Sequence, residues 1–194
     1  MPDTYLTIHK ISKGLFKEKG SKFLSFAVPV KNLNEVKVVL EDLKKSHHDA
    51  RHHCYAYRLG KDGEIFRAND DGEPNHSAGD PILGQIKAFG ITQVLIVVVR
   101  YFGGTKLGVG GLINAYRTAA KIALESAEII EAIESQELTI TYAYEQTNQV
   151  MGLIGKYELP VLEQQFAEAC TMRIDCPKSK VPIVLGELKD IGLA

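Results

Sequence analysis

The chain has 194 residues, 45% of them hydrophobic and 24% charged, which is ordinary globular usage and enough for one large domain or two small ones with a real core. No apolar run approaches the roughly 18 residues of a membrane span, and the first residues, MPDTYLTIHKISKG, lack the apolar segment of a secretory signal. Three cysteines without CxxC spacing argue against a disulfide framework and for a reducing, cytoplasmic setting.

The net charge of −1 conceals an asymmetry. Residues 1–61 hold 12 Lys and Arg against 6 Asp and Glu, residues 62–127 hold 6 against 7, and residues 128–194 hold 5 against 11. A basic front and an acidic tail suggest a polyanion contact at the front, with ordinary scatter of solvated charge as the alternative.

In chain order, FLSFAVPV places Leu24, Phe26, Val28 and Val30 on one face and predicts a half-buried strand. Pro29 predicts a free edge at that point. NLNEVKVVLEDLKKSHHD then repeats Leu33, Val36, Val39, Leu40 and Leu43 at helical spacing, with Asn32 as N-cap and Glu35 three residues on. HHCYAYRLG and the segment following KDG predict a strand pair joined as a hairpin. DDGEPNHSAGDP is turn chemistry, with Ser77 placed to cap a helix carrying Ile82, Leu83, Ile86 and Phe89, and Gly90 at its end. VLIVVV predicts a strand covered on both faces. A helix over about 110–127 has a face of small residues around Leu112 and Tyr116.

SAEIIEAIESQE is the candidate boundary, giving one domain over 1–130 and a second over 136–194. The second domain reads strand, helix, two strands joined near Glu168, then a helix with Val181, Val184, Leu185 and Leu188 on one face. The order β-α-β-β-α fits a ferredoxin-like half-module lacking its last strand.

Three stretches carry the candidate chemistry. The first is VVVRYFGGTKLGVGGLINAYR, where Arg100, Tyr101, Gly103, Gly104, Lys106, Gly108 and Gly110 lie between a strand and a helix. Unhindered amides at a helix start attract anions. Val109 and Gly110 stand where a phosphate-binding P-loop needs Lys and Ser or Thr, and the dinucleotide pattern GxGxxG is absent. An anion or nucleic-acid cradle and a tight turn both remain open.

The second stretch, HHDARHHCYAY, holds Arg51, His52 and His53. Strand alternation sends the two adjacent histidines to opposite faces, which argues against a shared metal. A general base and a polar surface remain as roles for this stretch. The third stretch gathers Asp70, Asp71 and Glu73 in one loop, either a magnesium site or a set of turn and cap acceptors.

DARHHCYAY, DDGEPNHSAGDPIL and VVVRYFGGTKLGVGGLINAY together resemble the signature blocks of the YigZ/IMPACT family. The resemblance implies an α+β protein. Its N-terminal domain would have the fold of the second domain of ribosomal protein S-five. Its C-terminal domain would be ferredoxin-like, similar to a C-terminal domain of elongation factor G. Both of those relatives handle RNA on the ribosome, and eukaryotic members of the family regulate translation. Asn75 and His76 depart from the small residues expected in their block. No catalytic residue is implied.

The expected function is a non-enzymatic regulator or accessory protein of translation that binds RNA or the ribosome through the glycine loop, Arg51, Arg100 and Lys106. Tyr101 or Phe102 would stack on a base, and no cofactor or membrane is involved. The alternatives are an enzyme acting on a phosphorylated small molecule or nucleotide with magnesium, and a protein-interaction module, with a protein of the translation machinery as partner.

Overall fold

The computed structural model describes residues 3–167 and 169–193. It divides into two units, one running from Tyr5 to Ala132 and one combining the first residues with the chain from Ile133 onward. The larger contains β1 (Thr4–Ile8), β2 (Ser12–Glu18), β3 (Ser21–Pro29), α1 (Leu33–Ser46), β4 (His52–Leu59), β5 (Ile65–Asn69), α2 (Gly79–Ala88), β6 (Val94–Tyr101), α3 (Gly108–Glu125) and β7 (Ile129–Ile133). Five of these strands form a sheet in the order β2-β3-β6-β4-β5, and every pairing in it is antiparallel.

β6 lies at the centre of that sheet, and alternation along it feeds two cores. Val94, Ile96 and Val98 pack with Phe23, Ala27 and residues of α2 and α3. Leu95, Val97 and Val99 pack with Val28, Val30 and Val36 of α1. The continuous apolar run therefore reflects helices on both faces of an antiparallel sheet.

The neighbouring β3 is also covered on both faces and not half-buried as expected, because Phe23, Ser25 and Ala27 are themselves buried. Pro29 does sit at a local edge. It pairs with Val94, while the β2 ladder stops at Ala27.

α1 begins as its sequence predicts. The Asn32 side chain accepts from the Glu35 amide at 2.9 Å, and the Glu35 carboxylate reaches back to the Lys31 amide at 2.8 Å. α3 lies close on the sheet because its buried face is largely alanine. Ser25 and Ser12 donate to the carbonyls of Ala119 and Ala123 at 2.6 and 2.7 Å. A Cβ at Gly14 would come within 2.8 Å of the Ala123 nitrogen, so this approach requires glycine.

The candidate boundary segment is itself a strand: β7 pairs with β1 in a two-stranded sheet. The sequence patterns predict neither β1 nor β2.

The smaller unit contains β8 (Ser135–Tyr142), α4 (Thr147–Tyr157), β9 (Val161–Gln165), β10 (Cys170–Pro177) and α5 (Val181–Asp190), in the expected β-α-β-β-α order. Among the described residues its sheet is three-stranded and antiparallel, ordered β8-β10-β9. Ile140, Met172, Ile174, Val150, Leu153 and Val184 form its core. Leu185 is exposed, unlike its expected partners Val184 and Leu188. The turn expected near Glu168 involves a residue outside those described.

Candidate anion-binding site

The larger unit holds a cavity of about 460 Å³ where the end of β6 meets the start of α3. Its wall combines Arg51 and His52 at the start of β4, Glu73 from the β5–α2 loop, Arg100 at the end of β6, and Phe102 and Lys106 from the glycine loop. Cross-strand register explains part of this meeting. His52 lies directly opposite Arg100 in the antiparallel ladder, and Arg100 lies opposite Phe23 on its other side.

Arg100 is only 7% exposed. Its Nη1 donates to Glu73 Oε1 at 2.6 Å, and the Tyr116 hydroxyl from α3 donates to the same oxygen at 2.7 Å. Behind them the Cys54 thiol lies 3.3 Å from the Tyr116 oxygen and 2.9 Å from the Asp70 carbonyl. Burial pushes the pKa of both the Cys54 thiol and the Tyr116 phenol well up, so each stays protonated.

The guanidinium is thus held by a buried ion pair, with its ring-facing surface 5.5 Å from the centroids of Phe23 and Phe102. Its Nε–H has no acceptor among the described residues.

The rest of the wall fits an anion. Glu73 neutralises Arg100, so the net positive charge comes from the exposed Arg51 and Lys106. α3 opens with Gly108 in the left-handed region (φ 73°). Its N-cap, Leu107, offers no side-chain cap, and its first turn holds no acidic residue. The amides of that turn therefore keep their donors and the positive end of the helix dipole.

The acidic loop serves the site as scaffold. Asp70 Oδ1 accepts from the amides of Ala78 and Gly79 at 2.9 and 2.8 Å, and Oδ2 from the His76 amide at 2.9 Å. It caps α2 in place of Ser77, whose hydroxyl instead donates to the Pro74 carbonyl. The sequence places Ser77 nearer the helix, but only the fold shows that Asp70 reaches across the loop. Burial opposes ionisation of Asp70. The amides of Gly79, His76 and Ala78 outweigh it and hold the carboxyl below its ordinary range. Asp71 Oδ2 accepts from the His53 amide at 2.7 Å. Asp71 and Gly72 both take positive φ, 40° and 86°, and this turn presents the Asp71 carbonyl to His52 Nδ1 at 2.8 Å.

The expected site residues therefore divide. Arg51, His52, Glu73, Arg100, Lys106 and Gly108 meet at the cavity. His53 points to the opposite face of the sheet, where it is buried and its Nε2 lies 3.2 Å from the His47 carbonyl. Tyr101 shares that opposite face, its hydroxyl donating to Asp49 at 3.1 Å. Gly103 packs on backbone: a Cβ there would lie 1.9 Å from the Gly20 carbonyl carbon. Gly104 supplies a turn at φ 89°, and Gly110 sits in the first turn of α3. Asp70 and Asp71 are not among the residues that line the cavity and instead bind backbone amides.

Sequence reasoning missed Tyr116 and Cys54 as members of the site. The available signal was Tyr116 itself, the one hydroxyl-bearing ring on a face otherwise built from alanine and leucine.

Fold and site together define a two-unit, mixed α/β protein with a cationic cavity between a strand end and a helix start. The chain belongs to the IMPACT family: residues 19–124 match the Impact N-terminal domain. It is 31% identical to the IMPACT family member YigZ of Escherichia coli over 90% of this chain and 86% of that protein. It is 34% identical to the IMPACT family member YvyE of Bacillus subtilis over 86% of this chain and 73% of that one. A crystal structure described as a hypothetical protein matches it with a TM-score of 0.73 at 29% identity, covering 97% of this chain and 93% of that one. No helix among the described residues is long and apolar enough to cross a membrane.

Proposed function

We propose that this chain is a non-enzymatic regulator or accessory protein of translation that binds RNA, on or off the ribosome, through the cavity at the end of β6. In this reading the larger unit has the fold of the second domain of ribosomal protein S-five, the smaller is ferredoxin-like, and the protein works in the cytoplasm. Family membership supports the link to translation, since regulation of translation is what the family resemblance implies for eukaryotic members.

The observation that carries the RNA half is the meeting of Arg51, Lys106, the Arg100 guanidinium and the uncapped start of α3 at one cavity. Phosphate oxygens supply the acceptors and the charge these donors lack. The carboxylates a magnesium-dependent enzyme would draw on have other partners: Asp70 accepts from backbone amides through both oxygens, Asp71 through one, and one oxygen of Glu73 is held by Arg100 and Tyr116. This favours binding over catalysis.

Co-sedimentation with ribosomes from lysate tests the proposal. Arg51→Ala/Lys106→Ala is the informative variant, because both side chains are exposed and their loss leaves the Arg100–Glu73 pair intact. The native chain is expected to pellet at low salt and to release at high salt, and the variant to pellet poorly at both. A folded native chain that stays in the supernatant at low salt overturns binding on the ribosome, and one that also fails to bind a single strand of RNA overturns the reading.

A further inference from the structure

One group in the cavity wall is unlike the rest. Arg51, Lys106, the Arg100 guanidinium and the first amides of α3 are all donors. His52 Nδ1 lies 2.8 Å from the Asp71 carbonyl oxygen. That oxygen can only accept, so Nδ1 carries the proton, and in the neutral ring Nε2 keeps an open lone pair. A Cβ at Gly72 would lie 3.5 and 3.6 Å from His52 Nδ1 and Cε1, so that edge of the ring faces the turn, while His52 also lines the cavity.

Glu73 accepts from Arg100 and Tyr116 through Oε1 alone, and its Oε2 carries charge that a phosphate avoids; His52 Nε2 is the acceptor that lies outside this ion pair. A bare phosphate satisfies the donors and leaves this acceptor unused. The wall matches a ligand that joins an anion to a neighbouring hydroxyl. Phe102 adds a third feature: it is 53% exposed, and it borders this cavity and two adjoining hollows. An exposed ring between concave surfaces suits the face of an unpaired base.

We propose that the cavity reads one ribonucleotide of single-stranded RNA. The phosphate sits on Arg100, Lys106 and Arg51, the ribose 2′-hydroxyl donates to His52 Nε2, and the base lies against Phe102. This rests on the phosphate-binding reading above and adds to it a means of telling RNA from DNA. A free ribonucleotide carries the same phosphate and hydroxyl, so the test separates the two sources.

The test is fluorescence anisotropy at pH 7.5 and low salt with labelled oligouridine, its 2′-deoxy counterpart and its 2′-O-methyl counterpart. The methylated strand keeps an RNA-like sugar pucker but has no hydroxyl to donate. Oligouridine is expected to bind about five- to tenfold tighter than either, the scale of one well-placed hydrogen bond. In His52→Phe the three affinities are expected to converge.

Uridine 3′-monophosphate is the competitor. Displacement of the strand only at far higher concentration assigns the site to a strand. Displacement at matching concentration overturns the strand and gives the site to the free nucleotide. Equal binding of all three strands by the native chain overturns the hydroxyl contact while the phosphate reading stands. No binding of any strand removes both.

Discussion

At the scale of single residues, the site depends on a buried ion pair whose value lies in placing a guanidinium. Removing one partner of such a pair strands the other charge away from water, which costs more than replacing both. Glu73→Gln is therefore expected to lower the unfolding free energy by about 3 kcal/mol or more in urea titrations. The double variant Glu73→Gln/Arg100→Met is expected to regain part of that loss, because no unpaired charge remains buried.

His53 gives a pH signature. Its burial lowers its pKa from 6.5, and the opposing pull of Asp71 is smaller. The unfolded chain therefore takes up a proton near pH 6.5 that the folded chain refuses. The stability this residue contributes is complete above that pH and declines as pH falls toward the depressed native value. Urea midpoints are expected to drop between pH 7.5 and 5.5 in the native chain, and to drop less in His53→Gln.

At the scale of elements, two loops build the cavity, and each is shaped by one unusual requirement. The β5–α2 loop folds around Asp70, which supplies the cap that α2 lacks locally. Asp70→Ala is expected to cost about 1–2 kcal/mol, in the range of a lost N-cap, measured by thermal or urea unfolding. Ser77→Ala is expected to cost less, since its hydroxyl serves only a turn carbonyl.

The loop between β6 and α3 is pinned by Gly103 against Gly20. A methyl group at 103 meets backbone and not a flexible side chain, so Gly103→Ala is expected to destabilise by about 1–3 kcal/mol. It is also expected to weaken oligouridine binding, because the displaced loop carries Phe102 and Lys106.

At the scale of the whole molecule, the contrast is between a basic N-terminal stretch and an acidic C-terminal one. Two exposed cations and one partly neutralised guanidinium predict a modest electrostatic footprint. The logarithm of RNA affinity is expected to fall with the logarithm of salt at a slope of about −0.7, since the cavity holds one phosphate and each neutralised phosphate of a single strand contributes about that much. Lys106→Ala is expected to make that slope shallower, and His52→Phe to leave it unchanged, because a hydrogen bond from a hydroxyl releases no counterion.

Much of this was legible in the chain itself. Apolar periodicity located α1, α2, α3 and β6, and the Asn32–Glu35 spacing located the start of α1, because these signals are local and the fold kept them. β1, β2 and β7 were not anticipated. Two of them are short and pair only with each other, and β2 is shaped by Gly14 approaching α3 from a distant part of the sequence.

By itself the sequence determined which residue types carry charge, where the glycines fall between a strand and a helix, and that His52 and His53 lie on opposite faces. Only the tertiary structure decided that His52 faces the cavity while His53 is buried beside α1. It also decided that Asp70 is a cap, that Glu73 neutralises Arg100, and that Tyr116 supports the pair. These roles depend on antiparallel register and on contacts between residues tens of positions apart, and such contacts leave no periodic trace in the chain. The orphan donor of Arg100 is of the same kind, for a side chain is unsatisfied only relative to everything packed around it.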